Sequence, residues 1–104
     1  MQDFYPDWPQ FFEVLRTRPG MWLGGKSVTR LGAFIWGFAA AEHAHGVEPL
    51  AGFDFAAFQL FVEAKIGWSS AGSYGQALQV AKSEERAFDL WFEWYDEFRR
   101  TAST

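Results

Sequence analysis

Along this chain the apolar residues recur three and four apart, the period of helices and not of strands. Asp7 is placed as an N-cap and Pro9 suits a first turn. Phe11, Phe12 and Leu15, with Trp8, then face one way, and Gln10, Glu13 and Arg16 face the other. The spacing predicts a first helix from about Pro9 to Thr17. From Ser27 to about His45 the apolar positions are Val28, Leu31, Phe34, Ile35, Phe38, Ala39 and Ala41, with Trp36 and small residues around the rest. A helix apolar nearly all round is expected at the centre of a bundle. Gly32 and Gly37 each cost it about 1 kcal/mol relative to Ala, which predicts close approach of a neighbouring helix. Gly46 and Glu48-Pro49 end it.

A third helix lies between Gly52 and Gly67, capped by Asp54, with Phe55, Phe58, Leu60, Phe61, Val62 and Ile66 as its apolar positions. Trp68 to Gly75 is rich in Ser and Gly and reads as a loop. Gln76 to Lys82 resumes a short helix. Ser83 caps the last one, which runs to about Arg100 with Phe88, Trp91, Trp94, Tyr95 and Phe98 as its core stripe. Thr101 to Thr104 read as a frayed end.

Only one stretch breaks the helical pattern densely. In Arg18-Pro19-Gly20-Met21-Trp22-Leu23-Gly24-Gly25-Lys26-Ser27 the proline disfavours helical geometry at Arg18, and the glycines release the backbone. Met21, Trp22 and Leu23 are expected to form a buried extended plug, a latch between two helices. The fold expected is all-α: a compact single-domain bundle of about five helices, spanning 1–104, packed around the helix from Ser27 to His45.

Composition sharpens this picture. Half the residues are hydrophobic (49%) and a fifth aromatic (20%), so aromatic surface must be buried or gathered on a face that meets a partner. With no cysteine there is no disulfide, thiolate nucleophile or thiolate metal site. The formal charge of −4 argues against nucleic acid and leaves room for a basic partner. The first residues lack the basic segment and apolar run of a signal peptide, and Leu31 to Ala41 is far short of a membrane span. A cytoplasmic protein is expected.

Chemistry is sparse. His43 and His45, two apart on a helix, point in different directions, whereas one ion needs a spacing of four. Glu42 and His43 read as end-of-helix residues. Glu13, Glu42, Asp54 and Glu63 show no spacing that selects an acid–base pair. Ser69, Ser70 and Ser73 lack a nucleophile elbow. Gly24-Gly25-Lys26-Ser27 lacks the earlier glycine and the strand of a phosphate loop. No catalytic residue, metal ligand or cofactor site is assigned.

The informative polar feature is on the last helix. Glu85, Asp89 and Glu93 fall four apart and Asp96 and Glu97 extend them, with Asp96–Arg100 the only compensation visible along the helix. Such a row reads either as a solvated face or as a surface for a basic partner. Among Trp22, Trp36, Trp68 and Tyr74 core burial is the default. Trp68 and Tyr74, flanked by Ser and Gly, are the expected interface anchors.

Arg-Pro-Gly-Met-aromatic-aliphatic-Gly also occurs near the start of gyrase-B-type ATPase domains, but their longer chain, Asn/Glu-bearing helix and Gly-rich loops have no counterpart here. The wider pattern is different. A short helix, then Arg18 to Gly24, an apolar helix from Ser27 to Phe38, a Gly67-Trp68 turn and Glu84-Glu85-x-Ala87-Phe88 leading to Phe92 resemble small bacterial immunity proteins found beside polymorphic toxins. Trp22 stands where such proteins more often have Tyr. The resemblance implies stoichiometric binding of a cognate toxin, with Glu85, Asp89, Glu93, Asp96, Trp68 and Tyr74 as the contact residues and a basic toxin as partner. Free, the chain is expected as a monomer or homodimer. A helical adaptor or regulator that uses the same surfaces for another protein is the alternative.

Overall fold

The computed structural model describes residues 7–103, and the opening residues 1–6 and Thr104 lie outside it. All the elements are helical: α1 (Trp8–Thr17), α2 (Pro19–Leu23), α3 (Val28–Ala44), α4 (Phe55–Ile66), α5 (Gly72–Ala81) and α6 (Glu84–Ser103). The all-α expectation holds, with six helices among the described residues in place of five. Four of them start where local chemistry says they should. Asp7, Ser27, Asp54 and Ser83 each accept a bond from the backbone N–H three residues on, at 3.0 to 3.1 Å.

The sixth helix is the latch. Pro19 breaks the chain at Arg18, but its fixed φ also pre-sets a first helical position, so five residues wind into α2 before Gly24, at φ 78°, stops them. Only Leu23 is buried as a plug. Trp22 is half-buried against Phe11 and Phe34, and Met21 is 69% exposed. The expected extended plug is therefore a short helix with one buried side chain.

α5 starts at Gly72, four residues before the expected Gln76. Weak helix formers are held there by partners: Ser69 Oγ accepts the Ala71 N–H at 3.1 Å, and Gln59 Oε1 accepts the Ser73 N–H at 2.8 Å. α6 runs past Arg100 to Ser103, so residues 101–103 are helical and not frayed.

The centre of the bundle is α6 and not the helix from Ser27. Ala87, Phe88, Trp91, Phe92, Trp94 and Tyr95 are all buried, and α6 packs on α3, α4 and α5. Phe12 of α1 meets Trp91 and Tyr95 edge-on at centroid distances of 5.6 and 4.9 Å, and Phe58 of α4 meets Trp91 at 5.1 Å. Aromatic pairs in this geometry add to their area burial. α3 buries Val28, Leu31, Gly32 and Ile35 in its first half, and from Trp36 onward leaves most of its surface open. Its alanines and glycines carry too little apolar area to drive that half inside.

The two glycines of α3 part company. A Cβ at Gly32 would come within 2.9 Å of the Tyr74 ring, so here a neighbour does approach closely. A Cβ at Gly37 would meet nothing within 4 Å, and that residue is exposed.

Candidate protein-binding face

The acidic row on α6 is largely answered from elsewhere in the chain. Asp89 pairs with Lys26 at 2.8 Å, Asp96 with Arg16 at 2.7 Å and Glu97 with Lys65 at 2.9 Å. The compensation expected from Arg100 comes to Asp96 from α1 instead. Arg16 also donates to the Phe92 carbonyl at 3.0 Å and stacks over the Phe92 ring. Glu85 and Glu93 are exposed and have no ion pair among the described residues. Glu84, one residue before the row, does structural work. Its carboxylate accepts from Ser27 Oγ, Thr29 N and Thr29 Oγ1 at 2.9, 2.9 and 2.6 Å, tying α6 to the start of α3. Those bonds, the Thr29 hydroxyl first, hold its carboxyl below the usual carboxylate range.

Of the two expected aromatic anchors only Trp68 is open, at 76% exposure. Tyr74 is not a loop residue. It lies in α5, stacked on Trp91 at 5.4 Å with the rings nearly parallel, and burial pushes its phenol pKa up. The Trp91 indole is itself fixed, donating to Ser73 Oγ at 2.9 Å. The aromatic that spacing did not single out is Trp36, 75% exposed on α3. Trp36 sits one residue, about 100°, beyond the buried Ile35, which puts it on the flank of the helix. That offset was the only signal of exposure in the sequence.

Trp36 forms one wall of an open groove of about 540 Å³. Ile35, Trp36 and Ala39 of α3 face Phe55, Phe58 and Gln59 of α4, and Ser70 to Tyr74 make the floor. No charged side chain lines it. Its main polar residue is already engaged: Gln59 accepts from Ser73 N, and its amide donates to Gln76 Oε1 at 2.9 Å and Glu63 Oε2 at 3.2 Å. With that side chain committed, the groove offers mostly apolar wall to an occupant. Trp68 lies two residues before Ser70, within about 7 Å of chain.

The groove and the acidic row occupy different sides of α6. Trp91 points to Tyr74 beneath the groove, and Asp89 and Glu93, two residues to either side, are turned about 200° away from it. Glu42 lies in the last turn of α3, as expected, and from there accepts the Leu50 N–H at 2.7 Å, ordering the chain after the helix. No helix among the described residues is long and apolar enough to cross a membrane. No family model, curated protein or solved structure matches the chain.

Proposed function

We propose that this chain acts in the cytoplasm as an immunity-type protein, neutralising a cognate toxin by binding it one to one. The observation that supports this reading is Trp36, three-quarters exposed in the wall of an open apolar groove, with Trp68, equally exposed, two residues along the chain from the groove residue Ser70. Large exposed apolar patches mark interaction sites, and Trp dominates binding hot spots. In this reading Trp36 and Trp68 anchor the toxin, and Tyr74 is part of the groove floor. Glu85 and Glu93, with Asp89 and Asp96 beside them, supply a field that speeds the approach of a basic partner.

The test is capture of a partner by the tagged chain from lysate of cells that also express the product of the neighbouring gene. A one-to-one complex with a toxin domain is expected, lost when Trp36→Ala and Trp68→Ala are combined. Glu85→Gln with Glu93→Gln should slow association at low salt and leave dissociation alone. Recovery of the chain without a toxin, or a complex indifferent to both tryptophans, would overturn the reading.

A further inference from the structure

Two glutamines, Gln59 of α4 and Gln76 of α5, are tied to opposite ends of one short segment. Gln59 Oε1 accepts the Ser73 N–H at 2.8 Å, and Gln76 Nε2 donates to the Gly67 carbonyl at 2.8 Å. Between them Gln59 Nε2 donates to Gln76 Oε1 at 2.9 Å. We infer that the pair is a clamp with Gln59 its positioning residue, fixing residues 67–73 as a loop that presents Trp68 and the groove floor to a protein partner. That role rests on the reading above that this face binds protein.

The direction of every bond in the clamp is forced. A backbone N–H only donates and a backbone carbonyl only accepts, so Ser73 draws the Gln59 oxygen and Gly67 draws the Gln76 nitrogen. The remaining nitrogen and oxygen of the two amides then meet each other. Such a chain polarises along its length, and Gln76 is 2% exposed, so a partner lost there is not replaced from solvent.

The segment needs holding at both ends. Gly72, which opens α5, has φ 73°, and Ala71 before it supplies no capping side chain. Gly72 and Gly75 are poor helix formers, and the first N–H groups of a helix have no partner within it. Gln59 supplies from α4 the cap that α5 lacks. With that turn wound, Ser73 Oγ meets the Trp91 indole at 2.9 Å and Tyr74 stacks on the same ring. At the other end Gly67, at φ 97°, stops α4 and leads the chain into Trp68. Trp68 is 76% exposed and draws little order from its own burial.

Amide hydrogen exchange and NMR relaxation of the free chain test the clamp in wild type, Gln59→Met and Gln59→Glu. Methionine keeps the length of the side chain and removes both bonds, so the Ser73 N–H should exchange roughly tenfold faster or more. The Trp68 amide order parameter should fall from about 0.85 toward about 0.6. Glutamate still offers an oxygen to Ser73 but sets another against Gln76 Oε1. In that variant Ser73 should stay protected while Trp68 loosens. Both variants lose the 3.2 Å bond to Glu63, so the contrast between them isolates Ser73. Circular dichroism and unchanged order parameters in α6 check that each is folded. Affinity of Gln59→Met for the neighbouring-gene product should fall by roughly two- to tenfold, because the partner must then order the loop. Ser73 exchange alike in the two variants, or a Trp68 order parameter that neither lowers, would overturn the clamp and leave the binding reading standing. A loosened loop that binds the product as tightly as wild type does would overturn the positioning role. A wild type that captures no such product overturns the binding reading and the positioning role with it, while exchange still decides the clamp.

Discussion

The ring of Tyr74 occupies the space where a side chain on residue 32 would begin: a Cβ on Gly32 would lie 2.9 Å from its Cγ and Cδ2. Behind it the same ring is stacked on Trp91, so it cannot retreat without disturbing the centre of the bundle. Gly32→Ala is therefore expected to destabilise the fold by about 1–2 kcal/mol, the overpacking term exceeding the helix-propensity gain. Gly37→Ala, with open space around it, should stabilise the single chain by up to about 1 kcal/mol. Urea unfolding of the two variants checks both signs at once.

Arg16 joins the first and last helices. It donates to Asp96 at 2.7 Å and to the Phe92 carbonyl at 3.0 Å, and its guanidinium lies 4.7 Å from the Phe92 ring centre. The ion pair is partly exposed and so contributes modestly, but the carbonyl loses its donor with it. Arg16→Met should cost about 1–2 kcal/mol in urea unfolding. Arg16→Lys should recover less than half, because an ammonium cannot serve both acceptors and stack as the planar fork does.

Glu84 sets a pH dependence whose sign follows from its bonds. Its folded pKa lies below the unfolded value, so its contribution is present above the ordinary glutamate range and is lost as pH falls toward the folded value. Other carboxylates titrate nearby, so the diagnostic quantity is a difference. Stability curves of wild type and Glu84→Gln should diverge at neutral pH and converge on acidification. Parallel curves down to the acid limit would show that the bonds to Thr29 and Ser27 contribute nothing to folding.

The six tryptophans report separately on the core and the face. Trp8, Trp91 and Trp94 are buried, and Trp36 and Trp68 are exposed. Acrylamide should quench mainly the exposed pair, and replacing both with Phe should remove most of the quenchable emission. Protection of Trp36 on adding toxin would report occupation of the groove. Unchanged quenching on adding toxin would place the contact elsewhere.

How much of this was legible in the sequence depended on how far each interaction reaches. Asp7, Ser27, Asp54 and Ser83 were readable as caps because each bonds to its own chain three residues on. The amphipathic helices α1 and α6 were readable because their apolar residues point one way. α3 and α4 are apolar around most of their circumference, and such a pattern says helix without saying which side is buried. Only the packed structure decided that α6 is central, that Trp36 stands in solvent and that Tyr74 does not. The acids on α6 make the same point. Asp89 and Asp96 find their cations 63 and 80 residues away along the chain, where no local spacing can bring them into view. Composition and period determined an all-helical chain rich in aromatic surface, to be buried or gathered on a face. Tertiary packing decided which of that surface is left outside, because burial follows the area each side chain removes from water once its neighbours are in place.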